Sequence, residues 1–206
     1  AYSGGADTAT DRIVLGAGIA PTDVTVTRSG SNLVLQFANA GDQITVSGWY
    51  SSTNNRIEQL EFADGTVWDR TALHEAGLIV TGTAGNDTLY GLAVEGDIIN
   101  GGDGNDSLFG SSGSDTLMGG AGNDELMAGS RTYAYSNTPD YTENTSNILE
   151  GGTGADQLYG SGGSETYRYN LGDGADTIYE VAYNNQSASD TATDRIVLGA
   201  GTAPTD

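Results

Sequence analysis

The chain has 206 residues, 36% of them apolar, with 32 glycines, no cysteine, and 28 acidic against 7 basic residues for a net charge of −21. That balance gives a thin core, high chain entropy and self-repulsion, which bound divalent cations would offset. It excludes nucleic acid as a partner, because no basic patch exists to neutralise phosphate, and argues against anionic membrane surfaces unless divalent cations bridge them; it also excludes a disulfide scaffold and Cys-containing zinc sites, and no apolar run approaches the ~20 residues of a transmembrane segment.

From the N-terminus, apolar and polar residues alternate over 12–15, 24–28, 33–37, 44–49, 57–62 and 66–68, which predicts six strands. Ser29-Gly30-Ser31-Asn32 and Ala40-Gly41-Asp42 are turn signals, and Asp64-Gly65 between Phe62 and Val67 is the strongest hairpin signal. Asp69 is placed to cap a short helix near 69–76, with Gly77 beyond its end. Residues 1–80 therefore read as a small β domain whose core takes Phe37, Trp49, Phe62 and Trp68. Two catalytic-looking signals fail. His74-Glu75 lacks the second histidine of a zinc-protease helix, and Pro21 stands where a dinucleotide loop beginning at Gly16-Ala17-Gly18 needs its third glycine.

Residues 81–180 change character. The beat Gly-Gly-x-Gly-x-Asp-x-apolar-x runs through 101–109 and returns at 119–127 and 151–159, with looser copies between. Glycines let the first six residues turn at positive φ and aim carbonyls inward, the Asp adds a carboxylate, and the last three form a minimal strand with one inward side chain. Such turns offer only oxygens, which suits a hard cation taking six to eight of them, and no stretch has the spacing of an EF-hand.

This nonapeptide resembles that of the haemolysin-type calcium-binding repeat (RTX) proteins, and the wording of residues 11–70 resembles the β domain that accompanies those repeats. The resemblance implies an all-β fold, a right-handed parallel β-roll with an N-terminal accessory β domain, and several Ca2+ ions held between turns one coil apart. Two nonapeptides complete a coil, so alternate turns share an edge. One edge receives Gly82, Ala84, Gly85 and Asp87; Gly101, Gly102, Asp103, Gly104 and Asp106; Gly119, Gly120, Ala121, Gly122 and Asp124; Gly151, Gly152, Thr153, Gly154 and Asp156; and Gly172, Gly174 and Asp176. The other receives Asp97, then Gly110, Ser112, Gly113 and Asp115, then Asn147, and ends on Glu165 where the motif has Asp. A well-filled calcium row is expected on the first edge and a partly empty one on the second.

The interval 128–150 is 23 residues, read as one half-coil of nine with 14 inserted, and the insert about 128–147 carries Tyr133, Tyr135 and Tyr141. These tyrosines either pack over the weaker edge, the preferred reading, or form a sugar- or protein-binding patch. Residues 7–23 recur as 190–206 with one change, Ile19 against Thr202, at an offset of 183. Residues 181–206 thus read as a linker and the start of the next tandem copy, and the chain, with no initiator Met or signal peptide at Ala1, as an excerpt of a longer array. No nucleophile stands with a plausible base. The expected function is a non-enzymatic calcium-binding structural module that folds on binding calcium outside the cell, exported by type I secretion as the family implies, within an adhesin-like secreted or cell-surface protein. Its partners are calcium and neighbouring copies, with a glycan or surface ligand left open. The alternative is an auxiliary polysaccharide-binding module of an extracellular enzyme.

Overall fold

The computed structural model describes residues 10–39, 41–92, 95–129, 145–180 and 192–199. It divides into two compact units, Ala1–Leu78 and Ile79–Asp206.

In the first unit, strands β1 (Arg12–Val14), β5 (Gln59–Glu61) and β6 (Val67–Asp69) form one sheet, with β1 parallel to β5 and β5 antiparallel to β6. A second, antiparallel sheet joins β2 (Val24–Ser29), β3 (Asn32–Phe37) and β4 (Gln43–Val46). The Asp64-Gly65 hairpin forms as expected: Gly65 takes φ 89°, its N–H donates to the Phe62 carbonyl at 3.0 Å, and the Thr66 N–H donates to Asp64 Oδ1 at 2.8 Å. Helix α1 (Arg70–Ala76) starts at Asp69, whose side chain accepts from the Ala72 N–H at 2.9 Å. The strand expected over 44–49 ends at Val46, because Gly48 turns the chain at φ 67° and donates to Asn32 Oδ1 at 2.8 Å. That turn drops Trp49 into the core, fully buried, with Nε1 donating to His74 Nδ1 at 3.1 Å. Of the four expected core aromatics, Trp49 and Phe62 are buried, whereas Phe37 and Trp68 are half-buried; Trp68 meets Phe62 edge-on at 4.9 Å.

The second unit is a parallel β-roll. One sheet stacks β7 (Ile79–Thr81), β9 (Ile98–Asp103), β11 (Thr116–Ala121), β13 (Ser146–Thr153), β15 (Ser164–Tyr169) and β17 (Arg195–Leu198). The facing sheet stacks β8 (Thr88–Tyr90), β10 (Ser107–Phe109), β12 (Glu125–Met127), β14 (Gln157–Tyr159) and β16 (Thr177–Tyr179). Thr116 lies beside Ile98 and Glu125 beside Ser107, 18 residues apart, so two nonapeptides do make one coil. Ile148 lies beside Thr116 and Gln157 beside Glu125, 32 apart, so the coil between carries 14 extra residues. The three tyrosines of that insert lie outside the described residues.

The inward side chains form two facing rows: Ile99, Leu117, Leu149 and Tyr167 from one sheet, and Leu108, Leu126 and Leu158 from the other, all buried. One methyl-rich side chain per strand is a small core, and each such Leu buries on the order of 2 kcal/mol. Strands β9, β11 and β13 outlast the three residues expected, because pairing continues through the glycine pair of the following turn, Gly120 beside Gly102 and Gly152 beside Gly120. The roll also exceeds the expected 81–180. Strand β7 begins it at Ile79, and β17, read as the start of a next copy, is its last described strand, paired along β15.

Candidate metal sites

On one edge of the roll, the register brings the turns at 82–87, 101–106, 119–124, 151–156 and 171–176 into a column. Each turn after the first uses its Asp as a tie to the coil before it. The Asp87 N–H donates to Asp106 Oδ1, Asp106 to Asp124 and Asp124 to Asp156, each at 2.8 Å, and Asp156 to Asp176 at 3.1 Å. A second ladder runs the opposite way: Asn105 N–H donates to Asn86 Oδ1 at 2.9 Å, Asn123 to Asn105 at 2.7 Å and Ala155 to Asn123 at 2.9 Å. The sequence reading missed these asparagines, although Gly-Asn-Asp in three successive turns was the signal for them.

The backbone explains the glycines. Gly102, Gly104, Gly120, Gly122, Gly152, Gly154, Gly172 and Gly174 all take positive φ. A Cβ at Gly122, at φ 132°, would overlap the Gly104 carbonyl, so a side chain there fails on both conformation and space. The carbonyls of Ala121 and Thr153 accept from the N–H groups of Gly104 at 2.7 Å and Gly122 at 2.8 Å, which locks successive turns at close approach. The first turn differs. Thr83 and Gly85 are not left-handed, Ala84 is exposed, and Asp87 Oδ2 is taken by Thr83, whose N–H donates at 2.6 Å and hydroxyl at 2.9 Å.

In the column's middle, Asp106, Asp124 and Asp156 are at most 2% exposed, and the Oδ2 of each accepts no hydrogen bond. At Gly101 the Asp106 Oδ2 and the Gly119 carbonyl both face the space a Cβ would fill, and at Gly119 the Asp124 Oδ2 and the Gly151 carbonyl do the same. Burial raises the Asp124 carboxyl above its usual range, with Asp106 adding repulsion. Asp156 is pushed up to about 6, first by burial and then by Asp176 and Asp124, against the backbone N–H that holds it down. A buried column of like charges with unmatched oxygens is costly by itself, and oxygen-coordinating cations are what such a donor set fits.

The opposite edge aligns Asp97, 110–115, Asn147 and 160–165, and repeats the tie. Asp97 N–H donates to Asp115 Oδ1 and Asp115 N–H to Asn147 Oδ1, both at 2.8 Å, and Glu165 N–H to Asp194 Oδ1 at 2.9 Å. Here the backbone is different: Gly113 and Ser111 are the described turn residues with positive φ, and Ser111, at 74°, is the one non-glycine among the described residues so placed. Gly110 faces Asp115 Oδ2 and the Ala128 carbonyl, while Ser112 is half-buried. Asn147 turns its Nδ2 into a donor to Glu165 Oε1 at 3.1 Å, so it fills the carboxylate's structural place without its charge.

Glu165, which stands where the motif has Asp, is fully buried, accepts from Ser161 at 2.6 Å on Oε1, and has an Oε2 with no partner. Carboxylate oxygens of Glu165, Glu180 and Asp194 lie within 4.8 Å of one another. Burial raises the Glu165 carboxyl, with Asp194 adding to it, and burial beside Glu180 likewise raises the Tyr167 hydroxyl, which donates to Glu180 Oε1. No motif announces Glu180, because it lies after the motif it joins.

A parallel β-roll with glycine-turned, Asp-tied edges defines a calcium-binding repeat protein. The model of the haemolysin-type calcium binding protein related domain matches residues 32–72, and that of the RTX calcium-binding nonapeptide repeat (4 copies) matches residues 79–93, 95–126 and 141–178. Together these matches span more than half the chain, and the chain belongs to the haemolysin-type (RTX) calcium-binding proteins, with Ca2+ as its metal. Among the described residues, no helix is long and apolar enough to cross a membrane.

Proposed function

We propose that this chain is a structural calcium module whose β-roll folds when calcium binds outside the cell, repeated in tandem within a large secreted or surface protein of adhesin-like role. The observation that carries the reading is the column Asp106, Asp124 and Asp156, each bonded through one oxygen to the neighbouring coil and left with a second, buried oxygen that accepts nothing. Calcium supplies the positive charge that lets such coils approach, so binding and folding become one process. Asp106, Asp124 and Asp156 are its carboxylate ligands in this reading, with carbonyl oxygens of the glycine turns completing the set. A chain that stays open where calcium is scarce and closes where it is abundant suits export in an unfolded state. The recurrence of 16 of 17 residues at an offset of 183 supports the tandem arrangement.

Far-UV circular dichroism during a calcium titration, with magnesium as control, tests it. A cooperative gain of β signal specific to calcium is expected. A roll equally formed in chelator would reduce calcium to an accessory and remove the export argument.

A further inference from the structure

The segment 7–23 recurs as 190–206, and the part described in both copies, 10–16 and 193–199, stands in two different settings. Its first copy supplies β1, an edge strand of the N-terminal unit, paired along one side to β5. Its second supplies β17, an edge strand of the roll, paired along one side to β15. A strand presents its backbone groups alternately to its two sides, so the two pairings can be compared residue by residue.

In the first setting, the Leu15 N–H donates to the Glu61 carbonyl at 2.8 Å, and the Asp11 carbonyl accepts from the Glu58 N–H at 3.0 Å; positions 11, 13 and 15 thus face β5. In the second, the Gly199 N–H donates to the Tyr169 carbonyl at 2.8 Å, so positions 195, 197 and 199 face β15. At the offset of 183, these correspond to 12, 14 and 16. The two pairings use complementary halves of one backbone.

We propose that in the array this is a single strand serving two copies: β17 of one copy is β1 of the next, so the roll's sheet runs on into the next copy's N-terminal unit. The inference rests on the tandem reading above. The side chains agree with it. Ile196 lies beside Tyr167, and its counterpart Ile13 lies beside Leu60, so the inward row of the roll would continue through that isoleucine to Leu60 and Trp68. At the roll's open end, Ile196 is 61% and Leu198 is 53% exposed, whereas Leu15, the counterpart of Leu198, is 5% exposed within its unit. Exposed apolar side chains on an edge strand are a liability unless a partner covers them.

The acidic tie also continues. Glu165 N–H donates to Asp194 Oδ1 at 2.9 Å, and Asp11, the counterpart of Asp194, donates its own N–H to Glu58 Oε2 at 2.8 Å. The conserved-by-repetition arginine reaches both ways with different atoms: Arg195 Nε donates to Thr166 Oγ1 at 2.9 Å, and Arg12 Nη1 pairs with Glu61 Oε1 at 3.3 Å. The roll of one copy and the N-terminal unit of the next are then joined through a shared strand, not strung on a linker.

The test is amide-resolved hydrogen exchange, in saturating calcium, on the chain of residues 1–206 and on a two-copy chain in which residue 206 is followed directly by residues 24–206. In the single chain, Val197 and Gly199 should be protected and Ile196 and Leu198 should exchange freely. In the two-copy chain, Ile196 and Leu198 should slow by at least about tenfold, since a paired amide opens only with its sheet. Unchanged exchange at Ile196 and Leu198, with β11 still protected, overturns the shared strand alone. Loss of protection in β11 itself would instead remove the calcium-folded module on which the inference rests.

Discussion

The two edges of the roll share one hydrogen-bonding device and differ in the backbone that carries it. Both tie coil to coil through an acidic or amide side chain that accepts from the preceding coil's N–H, at 2.8 Å in Asp106 to Asp124 and in Asp97 to Asp115 alike. The first edge adds a pair of left-handed glycines in each of four successive turns, whereas the second has left-handed residues at Ser111 and Gly113 and none in the described part of its other turns. The tie can therefore be kept by Asn147 or Glu165, which need only an acceptor oxygen. The turn that aims carbonyls at a cation cannot be kept without its glycines. In the proposed reading, side-chain identity at the sixth position reports stacking, and glycine spacing reports the metal.

Removing calcium should have the largest effect, and should separate the two units. Both tryptophans, Trp49 and Trp68, lie in the first unit, whose core of Leu33, Leu35, Leu60 and Trp49 contains no acidic column among the described residues. On chelation, the roll's β signal in circular dichroism should collapse while tryptophan emission stays near its native wavelength; parallel loss of both would dissolve the distinction.

Next in size is Gly122→Ala, which forces a side chain into a left-handed position against a backbone carbonyl and should cost on the order of 3 kcal/mol of roll stability in calcium, measured by urea unfolding. Asp124→Asn keeps an acceptor for the Asp106 N–H but removes a charge, and should raise the calcium midpoint by about tenfold, the worth of one charge-assisted contact. Asp115→Asn, on the edge where Asn147 already serves, should raise it only by about two- to threefold by the same arithmetic. Equal shifts for the two substitutions would erase the difference between edges.

Acidity sharpens the same contrast in the metal-free chain. Asp156 keeps its proton up to about pH 6 in the folded roll, against 3.8 for the ordinary carboxyl, so the fold holds the extra proton between those values. Raising pH through that window destabilises the metal-free roll, and the cost is complete above it. In chelator, where the roll is mostly open, the residual β signal in circular dichroism should therefore increase from pH 7 to pH 5, whereas with calcium present acidification should weaken the fold, because protons compete with the metal. The smallest effect is a repair: Ser111→Gly should relieve the left-handed serine and raise thermal stability by about 0.5–1 kcal/mol.

Much of this was legible in the sequence because the repeat is strict. The period of nine placed every roll turn on its edge, and the excess of 14 residues between Ala128 and Glu150 was readable by subtraction. The N-terminal hairpin and the Asp69 cap were legible from local turn chemistry. Other features depend on partners far along the chain. Trp49 looked like the end of a strand because its neighbours alternate, and only the Gly48 bond to Asn32 shows that the chain turns there. Glu180 and Asp194 meet Glu165 across 15 and 29 residues with no motif to announce it. Strand β17 was read as a beginning because its sequence is that of β1; a repeated sequence fixes a strand's pattern but not which side of it is paired.

The most direct measurement is anomalous diffraction at a long wavelength from crystals of the calcium-loaded chain. Strong calcium peaks should lie along Asp106, Asp124 and Asp156, with a weaker or broken row beside Asp97, Asp115 and Asn147. Peaks of equal height on both edges, or none within coordination distance of the Asp124 Oδ2, would contradict the account.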